Sequence, residues 1–177
     1  MSDTYDLDSA IRRVPDFPKP GIVFYDITSV LANPGAFGYC IERMLSIYDN
    51  DEFDAVAAIE ARGFLFAAPF AVHYRLPLIP IRKQGKLPGA TIRQSFALEY
   101  GEDTIEIHAG DIEEGWKVLL IDDLIATGGT TRASLDLLKK AGAAHCEVFS
   151  VIGLPFLDYH KLLTGIRVTT LVDFHSE

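Results

Sequence analysis

The segment VLLIDDLIATGGTT, residues 118–131, is the most informative stretch of this chain. Its first four residues are apolar without a break, as expected of a strand covered on both faces in a parallel sheet. Two acidic residues, Asp122 and Asp123, follow where that strand is expected to end. Because ligands of open α/β sheets bind beyond the carboxyl ends of the strands, the acid pair predicts a binding site.

The residues after the acid pair form a loop suited to an anion. They are Ala126, Thr127, Gly128, Gly129 and Thr130. Small side chains let backbone N–H groups crowd around an anion, and glycine permits the torsion angles this requires. Residues 131–141 follow with helical spacing, so the loop is expected to open a helix, whose N-terminus attracts negative charge. A terminal phosphate is the expected guest, and the two carboxylates suit the hydroxyls of a ribose.

A glycine-rich turn between a strand and a helix is by itself a weak motif, and an ordinary turn with solvated aspartates is the alternative. The acid pair before the turn favours the sugar-phosphate interpretation. The segment contains neither the GxxxxGK[ST] loop of nucleoside triphosphate sites nor the GxGxxG of dinucleotide folds.

Alternating elements predict an α/β fold with a doubly wound, mostly parallel sheet and flanking helices. Strands are expected at 55–59, 78–81, 116–121, 147–152 and 168–172, and helices at 34–48, 63–73 and 131–141. Over residues 95–108 apolar residues alternate on both sides of a turn at 101–103, which predicts a β-hairpin flap.

Composition favours one folded domain over residues 1–177, since 49% of the residues are hydrophobic. The net charge of −9 argues against a nucleic-acid surface. Cys40 and Cys146 lack zinc-site spacing and are expected to be buried thiols. No apolar run is long enough for a membrane span and the first residues are acidic, so a cytoplasmic protein is expected.

Residues 118–131 resemble the signature of type I phosphoribosyltransferases, which bind 5-phosphoribosyl pyrophosphate through such an element. Four further segments resemble the adenine-specific members of that family, in order along nearly the whole chain. They are VPDFPKPGIVFYDIT (14–28), IEARGFLFAAP (59–69), IRKQGKLPG (81–89) and SFALEYGEDTIEIH (95–108). The resemblance implies Mg²⁺-dependent transfer of the phosphoribosyl group to adenine, giving AMP and pyrophosphate, by a homodimer with an N-terminal hood at 1–33.

The segment 82–93 carries Arg82, Lys83, Lys86 and Arg93 without one acidic residue, although acids outnumber bases in the chain. Charge runs are often solvated surface loops, and that alternative stays open from the residues alone. The resemblance implies a mobile lid, with residues 82–108 forming the basic lid and flap. Arg82, Lys83 and Lys86 would then neutralise the leaving pyrophosphate.

The turn IEARGF is expected to grip a second anion. By resemblance, Ala61 and Arg62 meet the pyrophosphate next to a cis non-proline peptide bond near Ala61, and Arg62 also serves the adenine site and catalysis. Arginine's planar fork suits phosphate oxygens. The alternative for Arg62 is a surface salt bridge.

The resemblance also assigns the chemistry of the base. Glu99 would act as general acid/base near N7 of adenine, and Tyr100 would close over the reactants. The backbone of Val23 would face the amino edge of adenine, with Phe24 stacking on the ring. Tyr25 departs from the family pattern, in which many members carry arginine, so any polar contact at that position is in doubt.

No histidine or cysteine pattern of a metal site is present. The resemblance implies that Mg²⁺ arrives with the substrate and retains waters rather than sitting in an all-protein cage. Two alternatives to adenine transfer remain. One is transfer to another base such as hypoxanthine, xanthine or orotate, and the other is a regulator that senses phosphoribosyl pyrophosphate without chemistry. A regulator would need a nucleic-acid surface, and the basic cluster lies instead on the proposed lid.

Overall fold

The computed structural model describes residues 5–48, 52–97 and 101–176. The strands are β1 (Arg12–Pro15), β2 (Val23–Asp26), β3 (Ala55–Ile59), β4 (Leu78–Lys83), β5 (Thr91–Ala97), β6 (Glu102–His108), β7 (Lys117–Ile125), β8 (His145–Gly153) and β9 (Val168–Asp173). The helices are α1 (Leu7–Ala10), α2 (Thr28–Leu31), α3 (Pro34–Ile47), α4 (Gly63–Tyr74), α5 (Gly129–Lys140) and α6 (Tyr159–Leu162), with a 3-10 turn at Pro155–Leu157.

Seven strands form the central sheet in the order β5-β6-β4-β3-β7-β8-β9. Five of these strands run parallel to one another, in the order β4-β3-β7-β8-β9. Strand β6 is antiparallel to both β4 and β5. The predicted fold class, a mostly parallel sheet with flanking helices and a hairpin, is confirmed. The hairpin extends the sheet at one edge, and β1 and β2 pair as a separate two-stranded sheet.

Two apolar cores lie on opposite faces of the sheet, because successive residues of the central strands point to opposite sides. Val56 and Leu119 belong to one core with residues of α3 and α4, while Ala57 and Leu120 belong to the other with residues of α5. Cys40 and Cys146 are free and buried, one in each core, as predicted. Among the residues described, no helix is long and apolar enough to cross a membrane.

Two element boundaries next to the predicted binding loop differ from expectation. Strand β7 does not end at Ile121 but continues to Ile125, because β8 pairs with it as far as Gly153. Helix α5 begins at Gly129 rather than Thr131, since Gly128 caps the helix in the left-handed region with φ of 82°. Both changes shorten the loop and bring the acid pair closer to the start of the helix.

Candidate active site

A cleft of about 230 Å³ lies between the end of β7 and the start of α5. It brings together all seven residues predicted for ribose 5-phosphate and places Arg62 beside them. The lining residues are Ile59, Glu60, Arg62, Asp122, Asp123, Leu124, Ala126, Thr127, Gly128, Gly129, Thr130 and Thr131. Ala61 is not among them, although both of its chain neighbours are.

The two glycines of the loop have different roles. Gly128 has a positive φ, and a Cβ there would lie 3.0 Å from Cβ of Tyr159, so the fold itself requires glycine at this position. Gly129 is the first residue of α5, and a Cβ there would meet only the Oγ1 of Thr127, at 3.8 Å. The open space at Gly129 belongs to the cleft, where the first turn of α5 offers N–H groups without helical partners.

The acid pair lies inside β7 rather than beyond it, which corrects the sequence expectation. Pairing of β7 with β3 ends at Ile121, while pairing with β8 continues through Asp122, so the cleft opens on the β3 side. Both carboxylates are buried, and Oδ1 of Asp122 accepts a hydrogen bond from the backbone N–H of Asp123 at 2.9 Å. Burial raises the pKa of Asp122 well above its usual value, and the neighbouring charge of Asp123 raises it further.

Arg62 is held against the acid pair. Its Nε donates to Oδ2 of Asp123 at 2.5 Å, and half of its side chain remains exposed. The peptide bond between Glu60 and Ala61 is cis, which confirms the expectation for this turn. Gly63 permits the turn to approach β7, since a Cβ at that position would lie 2.8 Å from the carbonyl oxygen of Ile121. The salt bridge considered for Arg62 therefore exists, but its partner is a residue of the cleft.

Arg82 and Lys83, two of the cations predicted to bind pyrophosphate, line a neighbouring cavity of about 180 Å³ that shares Ile59, Glu60 and Thr130 with the main cleft. Arg82 and Lys83 end β4, and Glu60 accepts hydrogen bonds from the side chain of Arg82 and the backbone of Lys83. The Nζ of Lys86 lies 3.4 Å from the same carboxylate. Burial alone would raise the pKa of Glu60, but the hydrogen bonds from Arg82 and Lys83 outweigh it and lower this pKa.

Two of the three residues predicted to bind adenine, Val23 and Phe24, lie on β2 outside the lining of the main cleft, whereas the third, Arg62, lines it. Val23 and Phe24 are partly buried, and the ring of Phe24 meets that of Phe17 edge to face at 5.2 Å. Tyr25 is buried, stacks on Phe174 at 4.1 Å and donates its hydroxyl to the carbonyl of Ser176. Tyr25 thus serves packing between the N-terminal segment and the end of the chain.

Glu99 and Tyr100 lie outside the described residues, so their roles stay predictions. Their surroundings are described on both sides: β5 ends at Ala97 and β6 begins at Glu102.

Sequence reasoning missed Glu60 and Glu106 as partners of the basic segment, and Asp26 as a neighbour of Arg62. The charge of Asp26, at the end of β2, acts on Arg62 and so links the N-terminal sheet to the cleft. Glu60 stood inside a quoted motif, and its place after a buried strand was the available signal. Glu106 gave no such signal. It alternates with the apolar residues Ile105 and Ile107, and this alternation only predicts that Glu106 lies on the opposite face of the strand from them.

We predict that Asp122→Asn stabilises the protein without ligand while weakening its activity. The pKa of Asp122 is higher in the folded protein than its value of 3.8 in the unfolded chain. The stability that this carboxyl group contributes is therefore fully present below pH 3.8 and is lost as the pH rises through the folded pKa. At neutral pH the variant should therefore be more stable by about 0.5–2 kcal/mol. Urea unfolding of both proteins at about pH 5 and about pH 8 measures the difference, which should grow with pH. A less stable variant at neutral pH would contradict this account of Asp122.

The cleft offers carboxylate oxygens of the kind that Mg²⁺ prefers. Within the described ranges, no cluster of three or more histidine, cysteine, aspartate or glutamate residues can hold a metal ion. Three carboxylates line the cleft: those of Asp122 and Asp123 before the phosphate-sized loop, and that of Glu60 after β3. This donor set fits a magnesium ion bound mainly by substrate oxygens and waters, as is common where the substrate carries phosphates.

Comparison with known proteins assigns the family. Residues 26–154, more than half of the chain, match the model of the phosphoribosyl transferase domain. A protein of Treponema denticola named adenine phosphoribosyltransferase is 56% identical over 171 residues, which cover 97% of this chain and 90% of that protein. The chain belongs to the adenine phosphoribosyltransferase family. The resemblance inferred from the sequence is confirmed, as is the expectation of a transferase enzyme.

Solved structures of adenine phosphoribosyltransferases share the architecture. The enzyme of Thermoanaerobacter pseudethanolicus has a TM-score of 0.90 and 44% identity, with coverage of 96% of this chain and 98% of that one. The enzyme of Saccharomyces cerevisiae, solved with an imino-altritol bisphosphate and adenine, has a TM-score of 0.87 and 34% identity, with coverage of 94% and 97%. The fold is therefore that of adenine phosphoribosyltransferases over nearly its full length.

Proposed function

We propose that this protein serves purine salvage by transferring the 5-phosphoribosyl group from phosphoribosyl pyrophosphate to adenine, which yields AMP and pyrophosphate. The observation that carries the proposal is the cleft that joins the loop at residues 126–130 to Asp122 and Asp123, in a chain of this family. The names of its relatives favour adenine over other bases as the acceptor.

In the proposed reaction, N9 of adenine attacks C1 of the ribose as the bond from C1 to the pyrophosphate oxygen breaks. The amides of the loop bind the 5-phosphate, while Asp122 and Asp123 orient the ribose hydroxyls and stabilise the positive charge that develops at C1. Glu99 accepts or returns the proton of the base, and Tyr100 closes over the reactants. Most of the acceleration then comes from positioning and electrostatics.

The leaving pyrophosphate is proposed to bind between the turn at Ala61 and Arg62 and the cations Arg82, Lys83 and Lys86. Glu60 forms ion pairs with both Arg82 and Lys86 at the edge of the cleft, which supports this placement. Adenine is proposed to bind at Val23, Phe24 and Arg62. The charge of Asp26, at the end of β2, acts on Arg62 and so connects the N-terminal sheet to the cleft.

Mg²⁺ is proposed to enter with phosphoribosyl pyrophosphate and to neutralise the charge of its diphosphate. Asp122 and Asp123 would hold this complex by its ribose. We also propose a cytoplasmic homodimer. The exposed apolar side chains Leu65 and Val72 on the outer side of α4 support a contact between subunits.

We further propose that residues 1–177 act as one phosphoribosyltransferase domain. In this arrangement residues 1–33 form a hood over the base, and residues 82–108 form the basic lid and flap. The separate sheet of β1 and β2 and the hairpin of β5 and β6 are the structural elements on which these assignments depend.

A panel of bases tests the proposed function. The purified protein is mixed with Mg²⁺, phosphoribosyl pyrophosphate and adenine, hypoxanthine, xanthine or orotate in separate reactions, and nucleotides are separated by chromatography. We expect AMP with adenine and little product with the other bases. Preference for another base would reassign the substrate, and the absence of any nucleotide would contradict the proposed transfer.

A further inference from the structure

Glu106 is a fully buried glutamate at the centre of the antiparallel part of the sheet. It lies opposite Arg82 of β4 on one side and opposite Arg93 of β5 on the other. Residues directly opposite each other in a ladder share one face, so Glu106 stands between two arginines. A buried carboxylate is costly unless it is paired and hydrogen-bonded, and Glu106 has an unusually complete set of partners.

The loop that follows β4 wraps around this carboxylate. Oε1 of Glu106 accepts three consecutive backbone N–H groups, from Gly85 at 2.8 Å, Lys86 at 3.1 Å and Leu87 at 3.1 Å. Successive N–H groups of this kind form an anion-binding concavity, and here the anion is supplied by the chain itself. Burial would raise the pKa of Glu106, but the hydrogen bonds from the loop, Arg93 and Thr91 outweigh it and lower this pKa.

The other oxygen fixes the loop to the next strand. Oε2 of Glu106 accepts hydrogen bonds from Nε of Arg93 at 3.0 Å and from the hydroxyl of Thr91 at 3.2 Å. The loop fixed in this way carries the cations of the basic segment, since Arg82 donates to the backbone oxygen of Lys86 and the Nζ of Lys86 reaches Glu60 at the cleft. Glu106 thereby fixes the backbone of the loop whose cations, Arg82 and Lys86, lie at the edge of the cleft.

We propose that Glu106 is a positioning residue for the pyrophosphate part of the substrate. Its carboxylate holds residues 85–87 so that Arg82 and Lys86 reach the edge of the cleft, and it touches neither substrate nor reacting atoms. This inference rests on the proposed function for the identity of the ligand. It predicts an effect on pyrophosphate that leaves the ribose 5-phosphate and adenine sites unchanged.

Glu106→Gln tests the proposal, because glutamine keeps the size of the side chain but loses the charge and turns one acceptor into a donor. We expect KM for pyrophosphate in the reverse reaction, and KM for phosphoribosyl pyrophosphate in the forward one, to rise roughly tenfold or more. KM for adenine and the calorimetric Kd of AMP should stay within about twofold of the original values. Glu102→Gln, an exposed glutamate of the same strand, is the matched control and should change none of these quantities.

Thr91→Val is the milder second variant, for use if Glu106→Gln does not fold. It removes one hydrogen bond to Oε2 and keeps the shape of the side chain, so the same two KM values should rise about two- to fivefold. Unchanged KM for pyrophosphate in either folded variant would overturn the proposal. An equal loss of pyrophosphate and AMP binding would also overturn it, because that pattern indicates general damage to the fold.

The role of Glu106 can be tested even if the proposed function is wrong. If the unmodified protein makes no AMP, the proposed function fails, and direct titration with magnesium pyrophosphate still compares the unmodified protein with Glu106→Gln. Weaker binding of pyrophosphate by the variant in that titration would support the positioning role, and equal binding would refute it.

Discussion

Replacing Gly129 with valine is expected to abolish binding of the sugar phosphate while leaving the fold nearly intact. A Cβ at this position meets only Oγ1 of Thr127, so a larger side chain can be accommodated by the protein but extends into the cleft. Losing two or more charge-assisted hydrogen bonds to the phosphate should weaken Kd for AMP by at least about 100-fold. Calorimetric titration with AMP measures this loss, and undiminished affinity would reject the role of the loop.

Gly128→Val is the matched control for this prediction. The positive φ of Gly128 and the contact of a Cβ with Tyr159 at 3.0 Å make a side chain there costly to the fold itself. We expect Gly128→Val to lower the free energy of unfolding by about 1–3 kcal/mol and Gly129→Val to change it by less than about 1 kcal/mol. Urea unfolding of the two variants separates damage to the fold from loss of binding.

Glu99→Gln is expected to reduce turnover at least tenfold, since general acid/base catalysis typically contributes about 10²–10⁴ in rate. Binding of phosphoribosyl pyrophosphate should stay nearly unchanged, because Glu99 is assigned to the proton of the base rather than to the phosphates. Single-turnover measurements of AMP formation test this prediction without interference from product release.

Glu102→Gln, three residues further along the chain, controls for loss of an acidic side chain near the flap and should retain turnover. An unchanged single-turnover rate in Glu99→Gln would refute the role of Glu99. A lower rate that is accompanied by an equal loss of phosphoribosyl pyrophosphate affinity would place Glu99 in the substrate site instead.

The sequence was most informative where structure depends on neighbours in the chain. In residues 118–131 the strand, the acid pair, the glycine loop and the helix follow one another, so the main cleft was predictable from one segment. The end of β7 was not predictable, because its extension past Ile121 depends on pairing with β8. Nothing in the sequence of β7 itself indicates how far that pairing continues. The early start of α5 follows from the left-handed conformation of Gly128, with φ of 82°, which the local sequence permits but does not fix.

The contacts of Glu60 and Glu106 with the basic segment could not be predicted from local sequence, because they join residues far apart in the chain. Glu60 meets Arg82 across 22 residues, and Glu106 meets Gly85 across 21. Local charge patterning indicated the cations of residues 82–93 but not the acidic residues that position them. The interpretation of the segment as a mobile basic loop stays a prediction; in the structure Arg82 and Arg93 lie in strands, and the backbone N–H groups of residues 85–87 donate to Glu106.

We propose above that the backbone of residues 126–130 binds the phosphate of a nucleotide whose ribose meets Asp122 and Asp123. A crystal structure of the protein with AMP tests it most directly. We expect the 5-phosphate within hydrogen-bonding distance of the amides at the start of α5 and the ribose hydroxyls on the two carboxylates. AMP bound elsewhere, with no phosphate at this loop, would contradict it.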